Sequence, residues 1–330
     1  MQSALDPAGV EAQAVYWLFW ICVIGGAIIW VGVMAVLFYA GRGGREAISQ
    51  KAGQRIILIG GVLFPTVVLA ALLSYALWLM PTVRPVTAQA NSRLTLDVTS
   101  EQFWWRIAYP PEGDLPGFET ANEIRLPLGE RVGFRLHAAD VIHSFWVPAL
   151  GGKMDMIPGR TNFLSLEATR PGLYRAPCAE FCGTSHAVMG LTVVVMEQSA
   201  FDAWRKAQAQ LQPVAAASGT APRPATGNGP VVAADQTDRG QDGLAIFQRH
   251  GCAACHALRG TTAQGKIGPD LTRLGERATL AAGALPNTQE ALAAFIRNPQ
   301  KAKPGALMPA FPMIPPEELA TLADYLRASP

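Results

Sequence analysis

Charge is scarce in this chain. Only 16% of its 330 residues are Asp, Glu, Lys or Arg, against 50% that are hydrophobic, and the formal net charge is +2. That balance gives no electrostatic footing for a nucleic-acid partner or a strongly acidic one. The shortage is local as well: Val15–Tyr39 and Ile56–Met80 contain no charged residue at all. Crossing a bilayer takes about 20 consecutive apolar residues, and a buried helix of a soluble core rarely runs longer than that without a charge. A signal peptide would have a shorter apolar core and no second span behind it. Two transmembrane helices are therefore expected. Between them Arg42, Arg45, Lys51 and Arg55 face only Glu46, whereas Met1–Ala14 has no basic residue. By the positive-inside rule the loop is cytoplasmic, and both termini, with everything after Pro81, are extracytoplasmic. The expected location is the cell's inner (plasma) membrane.

Cysteine and histidine are few, five of each. Cys22 falls inside the first span, where it is read as packing on a neighbouring helix. The other four form two close pairs, Cys178/Cys182 and Cys252/Cys255, each with a histidine nearby. An exported chain would ordinarily suggest disulfides, but cysteines beside histidines direct attention to metal chemistry first.

Beyond residue 83 the composition changes twice. Residues 84–208 read as a β domain: Leu94–Thr99 and Val132–Leu136 alternate apolar and polar residues, Leu191–Met196 is strand-like, and Pro110-Pro111, Pro158-Gly159 and Pro171-Gly172 mark turns. Short strands punctuated in this way suggest a two-sheet sandwich or Greek-key barrel. Phe201–Gln208 closes the domain as a short helix. Residues 209–240 contain no aromatic residue and are dominated by Ala, Pro, Gly, Gln, Ser and Thr. Such a segment buries too little surface to fold and reads as a flexible linker, spanning roughly 30 Å as a coil. Residues 241–330 return to helical spacing, with Leu292, Phe295 and Ile296 on one face and Leu319, Leu322 and Leu326 on another.

Cys252-Ala-Ala-Cys255-His256 is the attachment signature of c-type haem, two thiols for the vinyl groups and an adjacent imidazole for the iron. A zinc site or a redox pair are the other uses of Cys-x-x-Cys. Zinc needs a second ligand pair, and no Cys or His follows His256. The sixth iron ligand is then Met308 or Met313. Met308 sits in Lys303-Pro-Gly-Ala-Leu-Met-Pro309, a stiff loop suited to an axial ligand, and Met313 is read as packing. With Gly268-Pro-Asp-Leu271, this region resembles the cytochrome c family, and the resemblance implies that Pro269 orients the proximal His256.

The densest signal is Cys178-Ala-Glu-Phe-Cys182-Gly-Thr-Ser-His186-Ala-Val-Met189: two thiols, an imidazole and a thioether, soft donors suited to copper, with His143 supplied from Asp140-Val-Ile-His143 upstream. A single blue copper would leave one cysteine idle; a disulfide is the plainer alternative. Together with Lys153-Met-Asp-Met-Ile-Pro-Gly-Arg160, these residues resemble subunit II of cytochrome c oxidase, in the branch with cytochrome c fused at the C-terminus. The resemblance implies a two-helix membrane hairpin, a cupredoxin-like Greek-key sandwich and a small all-α cytochrome c domain. It implies a dinuclear copper A centre bridged by Cys178 and Cys182, with His143 and Met189 on one ion and His186 and the Glu180 carbonyl on the other. It further implies that the Glu180 carboxylate helps hold Mg or Mn at the boundary with a partner subunit. Gln102-Phe103-Trp104-Trp105 resembles the aromatic run for electron input, with Phe103 where the family usually has its first tryptophan. Trp104, Phe103 and Trp105 are the input candidates.

The function so implied is that of an electron-input subunit of a proton-pumping haem–copper terminal oxidase. Electrons from a soluble cytochrome or quinol-oxidising complex reach haem c, then copper, then haem in catalytic subunit I, where dioxygen becomes water; subunit III completes the set of partners. No acid stands in Gln54–Leu58, where some relatives place one for proton uptake. The alternatives are the electron-input subunit of a copper-containing nitric oxide reductase and a membrane-tethered copper carrier, which would have no use for a haem domain.

Overall fold

The computed structural model describes residues 3–42, 48–83, 92–211 and 234–329. Arg45 and Glu46 of the basic loop, and residues 212–233 of the segment read as a linker, lie outside them. Helix α1 (Val10–Gly41) is followed by a second rod made of α2 (Gln50–Ile56), a wider π-helical stretch over Ile57–Leu63, and α3 (Phe64–Val83). The wide turns lead into Pro65, whose missing N–H does not suit a regular α-helical ladder. Both rods outrun the charge-free runs that predicted them, α1 taking in Glu11 at its first turn and the second rod Lys51 and Arg55. Their apolar side chains point outward almost throughout, as at Trp78 and Ile57, and Cys22 is exposed as well. A continuous apolar surface of this kind requires lipid or partner helices around it.

The head of α1 is fastened to the domain that follows. Ala8 N–H donates to Ala149 O at 2.6 Å, Ala12 N–H to Leu150 O at 3.1 Å, and Thr169 N–H to Ala8 O at 2.8 Å. Gly9 lies so close to the Leu150 backbone that no Cβ fits there. Glu11, buried at 3% exposure, accepts from Arg131, which also reaches Ser165 and Glu167. A buried carboxylate is tolerable only when paired in this way.

The β domain is built from β1 (Leu94–Glu101), β2 (Trp104–Tyr109), β3 (Phe118–Ala121), β4 (Glu123–Pro127), β5 (Arg131–Ala138), β6 (His143–Phe145), β7 (Met154–Met156), β8 (Asn162–Glu167), β9 (Gly172–Pro177) and β10 (Gly190–Met196). A five-stranded sheet ordered β3-β2-β1-β5-β8 faces a three-stranded sheet ordered β4-β10-β9, and β6 pairs with β7 beside them. The alternation read in β1 turns Leu94, Leu96 and Val98 inward, and β2 answers with Trp105, Ile107 and Tyr109. Pairs β1/β5 and β4/β10 are parallel, so the chain crosses between sheets in a cupredoxin-like Greek-key sandwich. Helix α4 (Gln198–Gln210) closes one end by setting Trp204 edge-on to Tyr109 and Phe118.

Helix α5 opens the C-terminal domain at Ala234 and runs to Arg249, starting inside the segment read as linker. Once its C-terminal half packs on the domain, extending the helix upstream adds a hydrogen bond per residue at little cost. A two-strand hairpin, β11 (Thr279–Leu280) with β12 (Leu285–Pro286), and helices α6 (Gln289–Arg297), α7 (Pro299–Ala302) and α8 (Pro316–Ala328) complete it. Thr288 caps α6 by accepting from Ala291 N–H at 3.2 Å. Gly243 of α5 lets Tyr325 of α8 lie against the helix backbone, over a core of Phe247, Leu292, Leu322 and Leu326. Met313, read as a packing residue, is instead 68% exposed: Pro312 and Pro315 turn its loop outward while Ile314 takes the buried position.

Candidate functional site

Two loops at one end of the sandwich bring six donor groups together. Cys178 and Cys182 follow β9, His186 and Met189 precede β10, and His143 begins β6. The Cys178 Sγ lies 3.9 Å from Cys182 Sγ, 3.8 Å from His143 Nδ1 and 3.3 Å from Glu180 O. The Cys182 Sγ lies 3.6 Å from His186 Nδ1 and 3.7 Å from Met189 Sδ. The sulfurs are too far apart for a disulfide, and both cysteines are free. Ligand atoms of His143, Cys178 and Cys182 fall within 4.8 Å of one another. Two thiols, two imidazoles, a thioether and a carbonyl in a buried space form a donor set that fits copper in a dinuclear arrangement and leaves no donor unused.

The surroundings fix the protonation of these groups. Burial works against a charged His143, but its hydrogen bonds to Cys178 and Asp140 outweigh that and hold its pKa above the usual value. Nε2 of His143 donates to Asp140 Oδ1 at 2.8 Å, which turns Nδ1 toward the sulfurs. The hydrogen bond from Cys182 pulls the Cys178 thiol well below its ordinary range, against the opposing effect of burial, so one thiolate forms readily. Asp140 also accepts from Gln102 N–H at 2.6 Å, linking the aromatic run to the site. Asp140 was quoted with His143 in the sequence but given no role; a carboxylate three residues before a candidate ligand was the available signal. The Asp140→Asn chain is expected to bind copper about 10–100-fold more weakly, read by titrating copper into the apo-protein in competition with a chelator.

The second site is a cavity of about 650 Å³ in the helical domain, with Cys252, Cys255, His256 and Met308 in its wall. Burial holds the His256 pKa below the usual value, so the imidazole is neutral near pH 7. Its Nδ1 sits 2.8 Å from Pro269 O, and since a carbonyl only accepts, Nδ1 carries the proton and Nε2 is free for a metal. A Cβ on Gly268 would come within 2.6 Å of the same ring, so the glycine is what lets the chain pass behind it. Two thiols, an imidazole of fixed tautomer and a thioether around a mainly apolar space fit a covalently held haem. Met313 is absent from that wall.

The copper and haem domains meet at Phe103. Its ring lies against Gly183 of the copper loop and Gly305 of the Met308 loop, both at positive φ, where a side chain would crowd the ring and clash with Gln102 or Thr184. Gln102 Nε2 donates to Cys182 O at 2.5 Å, and Thr184 and Ser185 both donate to Pro304 O, at 2.8 and 2.7 Å. Lys303, buried at 4% exposure, donates its ammonium to Phe103 O. Burial lowers the Lys303 pKa to about 7, opposed by the nearby Cys182. Phe103 and Trp104 line the haem cavity, whereas Trp105 is buried beside His143, 6.3 Å between ring centres. No sequence signal marked Lys303 or Gly305 as interdomain contacts, because their partners lie about 200 and 120 residues upstream. The Glu180 carboxylate turns outward, 3.5 Å from Lys153.

Family models for "Cytochrome C oxidase subunit II, periplasmic domain" and "Cytochrome c" match residues 94–197 and 240–330. Cytochrome c oxidase subunit 2 of Alkalihalophilus pseudofirmus is 35% identical, over 99% of this chain and 90% of the relative. That of Bacillus subtilis is 28% identical over 98% and 91%. Among solved structures, the periplasmic domain of subunit II of the Bradyrhizobium japonicum cytochrome oxidase is 32% identical over 36% of this chain and 95% of its own, with a TM-score of 0.34. The near full-length match, ending in a cytochrome c domain, means that the chain belongs to the cytochrome c oxidase subunit 2 family.

Proposed function

We propose that this chain is the electron-input subunit of a proton-pumping haem–copper oxidase, taking electrons into its haem domain and delivering them through its copper domain to a catalytic subunit that reduces dioxygen. The observation that carries this reading is the Phe103 junction, one ring in contact with both the loop holding Cys182 and the loop leading to Met308. Bound haem and dinuclear copper supply reversible one-electron chemistry. Cys252 and Cys255 would hold the haem covalently, and His256 and Met308 would supply the donors for its iron. Cys178 and Cys182 would supply thiolates to both copper ions, with His143 and Met189, and His186 and the Glu180 carbonyl, as the further donors. Burial of His143, Cys178, Cys182 and Met189 limits solvent rearrangement at the copper site when the charge changes.

A route between the domains is offered by Phe103 against the Met308 loop and by Gln102 bonded to the Cys182 carbonyl, with Trp104 at the cavity rim as the outer input point. Trp105 packs and orients His143. In support of a shared extracytoplasmic side for the N-terminus and both redox domains, the head of α1 is hydrogen-bonded to the copper domain, which requires both to occupy one face of the membrane. The outward Glu180 carboxylate is available to a Mg or Mn ion completed by ligands of catalytic subunit I. Subunit III and a soluble cytochrome or quinol-oxidising complex are the other partners.

Visible and near-infrared spectra of the purified protein test the reading. A sharp c-type band on dithionite reduction, with a near-infrared copper band that bleaches, is the expected result. A haem band without a copper signal after copper reconstitution would overturn the dinuclear site.

A further inference from the structure

One part of the helical domain reaches the copper domain away from Phe103. The loop between β11 and β12 holds Ala281, Ala282 and Gly283 at φ 51, 59 and 82°. Glycine adopts such values freely, but alanine does so only when its surroundings hold it there. The turn closes on its own bond from Gly283 N–H to Leu280 O at 3.1 Å, and Ala282 is held further by the other domain. Ala282 O accepts from Gly190 N–H at 2.7 Å, and the Ala282 methyl, fully buried, packs into the core of the sandwich rather than that of its own domain. Gly190 is the residue after Met189, and a Cβ there would come within 3.0 Å of Ala282 O. Thr279 Oγ1 lies 3.2 Å from Thr192 Oγ1, and Ala278 N–H donates to the buried Glu123 carboxylate at 2.8 Å. On its opposite side the hairpin gives Leu280 to the haem cavity wall.

We propose that the hairpin Thr279–Pro286 is the docking element that registers the haem domain on the copper domain, seating Ala282 beside Gly190, one residue from the copper donor Met189, while Leu280 forms part of the haem cavity. This rests on the reading that electrons pass between the two domains, and adds which residues fix their register. The mainly polar contacts suit a domain on a linker that docks and releases. The buried Ala282 methyl and its hydrogen-bonded carbonyl, both met by the copper domain, make the seat specific. Ala282 is a positioning residue, since it touches neither ligand set.

The test uses the full chain in its assembled oxidase. In a Thr192→Cys/Thr279→Cys chain the two thiols should form a disulfide in most molecules on mild oxidation, read by thiol labelling. Adding Ala282→Glu should abolish that cross-link while leaving the reduced haem spectrum unchanged. The cross-linked chain should pass electrons from haem to copper at the parent rate or faster. Ala282→Glu alone should slow that step about tenfold or more, because an undocked domain must find its seat again by diffusion on the tether. The proposal is overturned if the cysteine pair stays reduced, if cross-linked chains lose the transfer step, or if Ala282→Glu changes neither yield nor rate. Absence of haem-to-copper transfer in the parent chain would instead refute the functional reading, and the cross-link yield would still decide the docking.

Discussion

The Cys182→Ser chain is expected to lose its near-infrared copper absorption and strand electrons in the haem domain, which still reduces normally. Cys182 is the hub of the donor set. Its sulfur faces Cys178, His186 and Met189 at 3.6–3.9 Å, and its carbonyl takes the Gln102 amide. A serine hydroxyl stays protonated at neutral pH and is a hard donor, so it cannot bridge two copper ions as a thiolate does. The hydrogen bond that lowers the Cys178 pKa would weaken as well, removing part of what makes the second thiolate available. The loss of copper affinity should exceed the roughly 10–100-fold typical of an outer-shell change such as Asp140→Asn. Copper-to-haem stoichiometry by elemental analysis, with transient absorption of haem and copper after rapid reduction, reads both consequences. Full copper content with the parent transfer rate would show that Cys182 is not a bridging ligand.

Gly268→Ala should have the second large effect, on the haem side. The added methyl would stand 2.6 Å from His256 Cε1 and 2.9 Å from Nδ1, inside contact distance. Relief requires the ring to turn, which breaks its bond to Pro269 O, or the loop to move. Overpacking of this kind costs about 1–3 kcal/mol. Haem should remain attached through Cys252 and Cys255, but the domain should melt earlier and the reduced spectrum should report altered axial ligation. An unchanged spectrum with unchanged melting would show that His256 is not constrained from behind.

These expectations show what the sequence carries and what it does not. Cys178, Cys182, His186 and Met189 were legible because four donors fall within twelve consecutive residues, and Cys252-Ala-Ala-Cys255-His256 because haem attachment demands that spacing. The alternation in β1 and the charge-free runs gave the sandwich and the membrane rods for the same local reason. Asp140 left only the trace of a carboxylate three residues before His143, and Gln102 left none, since their roles depend on where β2 and β6 come to lie. Lys303, Gly305 and Ala282 were further from reach, as nothing near them in sequence shows which domain they touch. Nothing in the sequence singles out Glu11, and only the fold discloses its burial against Arg131. Met313 misled because apolar content alone does not tell an inward loop position from an outward one.

That clamp at the head of α1 has a mechanical consequence. With Ala8, Ala12 and Glu11 bound to Ala149, Leu150 and Arg131, the helix and the sandwich move as one lever with no hinge between them. Any tilt of α1 imposed by a change in bilayer thickness is carried into the sandwich as rotation instead of being absorbed at a joint. The height of the copper loops above the lipid is thus tied to the tilt of α1, and the haem domain follows through its contacts at Phe103 and Gly190.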